Sequence, residues 1–156
     1  MSRIESRELP DGLLDLLSGH DLAGKVGETI LLITVSESGW PHVAMLSAGE
    51  IVARSPAAMT MALWTGTETS ENLRRGQATL VIVRDGAGHY IEASVRSADV
   101  LDVDGRSLDR FECEVERVLS DRVGYARLTS GITFELPDEP AVVERWERTV
   151  EAMTRR

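Results

Sequence analysis

Apolar and polar positions change their period several times along this chain. Leu13, Leu14, Leu16 and Leu17 recur at helical spacing after Pro10-Asp11-Gly12 and stop at Ser18-Gly19, which predicts a short N-terminal helix. Residues 29–35 are β-branched or leucine without interruption, the pattern of a buried strand. Ser36-Glu37-Ser38-Gly39 then supplies turn chemistry, and a second strand is expected over 41–53, with Pro41 tolerated at its start. Arg54-Ser55-Pro56-Ala57 punctuates before a strand over 59–64. A helix over 69–75 should stop at Gly76, a residue suited to a left-handed C-terminal position. Strands over 78–84 and 90–97 flank Asp85-Gly86-Ala87-Gly88, a hairpin signal.

The rest of the chain is less regular. Residues 101–108 read as irregular or briefly helical, whereas 111–119 alternates Phe111, Cys113 and Val115 against Glu112, Glu114 and Glu116. A last short strand is expected over 132–136. Asp138 is the expected cap of a C-terminal helix whose Val142, Val143, Trp146, Val150 and Met153 share one face. Six or seven strands with short turns and few helices predict an α+β, mainly β domain. Its expected form is an antiparallel split β-barrel with N- and C-terminal helices, occupying 1–156 as one unit. The continuous apolar strands imply that part of the barrel's outer face is also covered, by a helix or by a second subunit.

Composition narrows the function classes. The chain has 156 residues and a formal net charge of −9, which argues against nucleic acid and against an anionic membrane surface. A local pocket for a small anion stays open. Cys113 is the only cysteine, so neither an internal disulfide nor a multi-cysteine metal site is expected. Its acidic neighbours push a thiol away from nucleophilic use. No pair among His20, His42 and His89 has metal-ligand spacing, so no metal is expected. The N-terminus is charged and no apolar run approaches a membrane span, so the expected location is cytoplasmic. Lys25 is the only lysine beside sixteen arginines, a bias from which no chemistry is read.

Candidate chemistry concentrates in residues 39–73. A strand ending at Trp64 runs into Thr65, Thr67, Thr69 and Ser70, followed by Asn72 at a helix start. Free N–H groups and hydroxyls at such a place suit a phosphate, yet Thr, Ser and Glu are also what ordinary helix starts contain. His42 either hydrogen-bonds a ligand or sits on a half-exposed strand face. No Gly-x-Gly-x-x-Gly, Walker loop or Gly-x-Ser-x-Gly occurs, and no residues mark themselves as a catalytic set.

The segments Gly39-x-Pro41-His42-Val43-Ala44-Met45-Leu46-Ser47-Ala48-Gly49-Glu50 and Ala62-Leu63-Trp64-x-x-Thr67-x-Thr69-x-x-Asn72-Leu73 are followed by the apolar run Ala78-Thr79-Leu80-Val81-Ile82-Val83. With Thr129-Ser130-Gly131-Ile132-Thr133-Phe134, this order resembles the pyridoxamine 5'-phosphate oxidase-like, flavin-binding split barrels. The resemblance implies a homodimer binding FMN, with deazaflavin or haem as alternatives among divergent relatives. It sets His42, Val43 and Met45 near the ring or ribityl chain, and Trp64, Thr65, Thr67, Thr69, Ser70 and Asn72 near the phosphate. The oxidase proper has Arg and Lys where this chain has Thr, Glu and Ser, so a divergent member is implied. The expected activity is a flavin-dependent reductase or oxidase; the alternative is a non-catalytic binding protein on the same barrel.

Overall fold

Eight strands, all paired antiparallel, and three α-helices make up the computed structural model, which describes residues 2–155. The strands are β1 (Ser2–Ser6), β2 (Ile30–Val35), β3 (Pro41–Leu46), β4 (Ile51–Ser55), β5 (Ala58–Trp64), β6 (Gln77–Arg84), β7 (Ala87–Val103) and β8 (Arg106–Arg122). The helices are α1 (Asp11–Leu16), α2 (Glu68–Leu73) and α3 (Glu139–Thr154), with a 3-10 turn at Leu22–Lys25. The order across the sheet is β3-β2-β6-β7-β8-β5-β4, and β1 adds to β8. Strands β3 and β4 follow each other in the chain yet end up at opposite ends of that order. The turn between them therefore crosses an opening in the barrel wall.

Side-chain alternation explains why the sheet curls. Ala44, Leu32, Leu80 and Ile91 are register partners across β3, β2, β6 and β7 and point inward, where they join Leu46, Ile51, Met59 and Phe111 in one core. The next register row, Met45–Leu31–Val81–Tyr90, lies on the opposite, outer face. Helix α3 covers another part of the outside, burying Val143, Trp146, Thr149 and Met153, with Val142 and Val150 half-buried.

Several sequence expectations are corrected. The strand expected over 41–53 is two strands broken by 47–50, where Ser47 N–H and hydroxyl both donate to Glu50 Oε1 at 2.9 and 2.8 Å. The segment 101–108, expected to be irregular, is the far end of a hairpin between two 17-residue strands, turned by Asp104-Gly105. No strand forms at 132–136. Phe134 instead packs edge-on against Trp146, ring centroids 6.3 Å apart, so its apolar character serves packing without pairing. β1 was not expected: its polar residues pair only at the end of β8. Asp138 occupies the N-cap position of α3 but makes no capping bond, and Pro140 opens the helix behind it.

Lys25, the single lysine, is 6% exposed and spends its ammonium on three acceptors. These are Asp15 O at 2.6 Å, Ser18 Oγ at 2.9 Å and His20 O at 2.7 Å. It thus ties the end of α1 to the loop that follows it.

Candidate cofactor-binding site

Strand β3 alternates between its two faces. His42 and Ala44 are half-buried, while Val43 and Met45 are 53% and 61% exposed. His42 is fixed by α2: its Nε2 lies 3.0 Å from Thr69 Oγ1 and its Nδ1 lies 3.3 Å from Glu68 Oε2. A carboxylate only accepts, so Glu68 favours a proton on Nδ1, while the Thr69 hydroxyl can either donate to or accept from Nε2. The hydroxyl turn is thereby anchored to β3 through one side chain, on the face opposite the exposed Val43 and Met45.

The turn itself is largely satisfied internally. Thr67 is the N-cap of α2 and its Oγ1 accepts from Ser70 N–H at 3.1 Å. The Ser70 hydroxyl is fully buried and donates to Trp64 O at 2.9 Å, with Thr67 Oγ1 donating to the same carbonyl at 3.3 Å. Thr65 reaches across to Ser107 O at 3.4 Å. Asn72 is buried and donates to Thr34 Oγ1 at 3.0 Å, locking α2 onto β2. What remains open is the N–H of Glu68 and of Thr69, neither of which has a partner among the described residues.

The nearby arginines are spent elsewhere. Arg74 pairs with Asp109 at 2.9 Å, and Arg75 bonds Asn72 Oδ1 and Val35 O. Arg54 donates to Thr154 O at 3.3 Å. The cation that does approach is Arg106, which sequence reasoning missed; its guanidinium lies 5.7 Å above the exposed ring of Trp64. The Asp104-Gly105 turn was the signal that would have placed it there, because that hairpin sets Leu108 opposite Trp64. Glu68 was also missed as the partner of His42.

Cys113 is buried among apolar neighbours. Burial, and secondarily the charge of Glu112, pushes its thiol up to about 12, which makes it inert. Among the described residues no three His, Cys, Asp or Glu side chains converge to hold a metal. No helix among them is long and apolar enough to cross a membrane.

The chain is 40% identical over 148 residues to the uncharacterised protein YclD of Bacillus subtilis (strain 168), covering 94% of this chain and 96% of that protein. It belongs to the YclD family. No family model matches it. Among solved structures, a candidate pyridoxamine 5'-phosphate oxidase from Lactobacillus delbrueckii superposes with a TM-score of 0.54 at 19% identity, over 76% of this chain and 98% of that one. The flavin reductase of styrene monooxygenase from Pseudomonas putida S12 gives 0.51 at 14% identity, over 74% and 96%. An F420 reductase gives 0.51 at 11% identity, over 69% and 96%. At these identities the likeness is one of fold, the antiparallel split barrel.

Proposed function

We propose that this YclD relative is a flavin-binding oxidoreductase acting as a homodimer, with FMN as the cofactor. The observation that carries the reading is the exposed Val43–Met45 face of β3, the strand that His42 anchors to Thr69 of the hydroxyl turn. An apolar, exposed strand face suits a flavin ring, and unpaired N–H groups at the adjoining helix start suit a phosphate. The residues therefore fit the group at both ends, though unequally. Val43 and Met45 would face the ring, and the N–H groups of Glu68 and Thr69 would meet the phosphate. The Thr67 and Ser70 hydroxyls are committed to the turn and support it from behind.

Bound flavin supplies the electron chemistry, and the protein orients it and keeps water away. The fold likeness to a flavin reductase and to an F420 reductase supports the coarser class, and the substrate is left open. The second reading, a binding protein on the same barrel without flavin, is favoured by one specific feature. The turn holds no free cation of its own, and Glu68 brings a negative charge beside it.

The homodimer rests on the outer row Met45–Leu31–Val81–Tyr90, apolar across four strands. A second copy of the chain covers such a face economically. The deciding experiment is reconstitution with FMN and with riboflavin, followed by gel filtration and a visible spectrum. Co-elution of FMN with the protein is expected, with riboflavin held more weakly. A colourless protein after both treatments would select the binding-protein reading.

A further inference from the structure

Arginines in this molecule are almost all committed. Among the described residues only Arg106, Arg122, Arg127 and Arg145 have neither an ion pair nor a hydrogen bond, although acidic residues outnumber basic ones by 26 to 17. Two of these four, Arg106 from the first position of β8 and Arg145 from α3, line the same cavity of about 110 Å³. Its walls include Trp64, which carries Arg106 above its ring, and Trp146, which is buried. Arg145 is half-buried, and the acidic group it faces in the cavity is Glu50, whose carboxyl it pulls down against the larger effect of burial.

A second cavity, of about 380 Å³, adjoins the first, because Glu50, Arg145 and Trp146 line both. The remaining wall of this larger chamber is mainly apolar: Leu46, Ile132, Phe134, Leu136 and Val142. Two guanidinium groups outweigh the single carboxylate of Glu50. That carboxylate already accepts from the N–H and hydroxyl of Ser47, and burial favours its neutral form.

We propose that these joined cavities bind a small organic acid, its anionic group held between Arg106 and Arg145 and its apolar body in the chamber behind. The arrangement has the parts such a ligand needs: two fork-shaped donors for a carboxylate or phosphate, aromatic walls, and a mainly apolar chamber. The site is built from α3, the β7–β8 hairpin, the end of β5 and the 47–50 turn, and meets the candidate flavin surface at Met45 and Trp64. Its test needs no flavin, so failure of the flavin reading leaves it standing.

The test is calorimetric titration of the full chain with benzoate, phenyl phosphate, inorganic phosphate and, as the uncharged analogue, benzyl alcohol. Benzoate or phenyl phosphate should bind at least about tenfold more tightly than benzyl alcohol, since each loses a charged hydrogen bond otherwise. The stronger of the two identifies the acid as carboxylate or phosphate monoester. Inorganic phosphate should bind more weakly than phenyl phosphate, because it leaves the apolar chamber empty. Arg106→Gln and Arg145→Gln should each weaken the anionic probe by about tenfold or more. Arg122→Gln, at the other unpaired couple, should leave it unchanged. Melting temperatures report whether the variants fold; if Arg145→Gln does not, the exposed Arg106 carries the test alone. No binding of any anionic probe at millimolar concentration, or equal binding by wild type and Arg106→Gln, overturns the proposal.

Discussion

Arg74 Nη2 lies 2.9 Å from Asp109 Oδ1, and the other oxygen of that carboxylate is buried with no hydrogen-bond partner among the described residues. Asp109 is 1% exposed on β8, while Arg74 follows the last turn of α2 and lies over the ring of Phe111. The pair thus clips the helix behind the candidate site to the barrel wall. Removing the cation alone leaves a buried charge uncompensated, which is worse than removing the charge itself. Arg74→Met should therefore destabilise by about 1–3 kcal/mol, and Asp109→Asn by less. Urea unfolding of both variants checks the order, and the reverse order would show that Asp109 does not depend on Arg74.

The role of Thr67 separates binding from support. As N-cap it holds Ser70 N–H, so Thr67→Val should cost about 0.5–2 kcal/mol of stability, and Thr67→Ser almost nothing. Thermal melts of the two variants measure it. A destabilised Thr67→Val protein that still binds FMN once folded would place the hydroxyl in the turn's architecture; full stability with lost binding would put it on the ligand.

How far the sequence could be read depends on which force shaped each element. β2 and β6 were legible because burial on both faces leaves an uninterrupted apolar run. The hairpin of 98–108 was not, because its ends stand largely clear of the core: Asp99 and Val100 are exposed, so alternation carries no inward stripe. Its Asp104-Gly105 turn takes positive φ at both residues, as Asp85-Gly86 does, and was the one signal available. Residues 132–136 misled for the opposite reason, being apolar to pack Trp146 and not to pair. At the candidate site, two segments that the sequence singled out meet at His42 and Thr69. The sequence had no means of showing that Ser70 points inward or that Arg74 and Arg75 are already bonded, because side-chain direction is settled by tertiary contacts.

His89 gives the fold a pH dependence. It is buried, with Nδ1 2.7 Å from Ser120 Oγ and Nε2 3.2 Å from Arg84 O. Burial lowers its pKa below the ordinary 6.5, outweighing the opposing bond to Arg84 O and the charge of Asp85, while Arg122 adds to the lowering. Below about pH 6.5 the unfolded chain takes up a proton that the folded one resists, so stability falls as pH drops through that value. Denaturation midpoints at pH 7.5, 6.5 and 5.5 should decline for the wild type and decline less for His89→Gln. Equal slopes would remove His89 as the cause.

Lys25 makes a chemical prediction. Its ammonium is buried and bonded three ways, so an amine-acylating reagent should leave it unmodified in the native protein and modify it after unfolding in urea. Peptide mass mapping reads this directly. Lys25→Met removes all three bonds and leaves the carbonyl of His20 without its donor, which should cost about 1–3 kcal/mol. Rapid acylation of Lys25 in the folded state would mean that the end of α1 opens easily.

The outer face carries the proposed dimer. Leu31 faces Met45 on one side and Val81 on the other, and Val81 faces Tyr90, so a single row of apolar side chains runs over four strands outside the barrel. Met45 is 61% exposed and Tyr90 37% in the isolated chain, an arrangement that association would relieve. An obligate interface of this kind buries roughly 2,000 Å² or more in total. Light scattering should accordingly give twice the 17.1 kDa of one chain. Val81→Glu sets a carboxylate in the middle of that row without entering the core, since Val81 alternates with the buried Leu80 and Ile82. It should convert the dimer to a folded monomer with an unchanged far-ultraviolet spectrum. A wild type of 17.1 kDa at micromolar concentration would defeat the dimer. A Val81→Glu protein that remains dimeric would move the interface to another face.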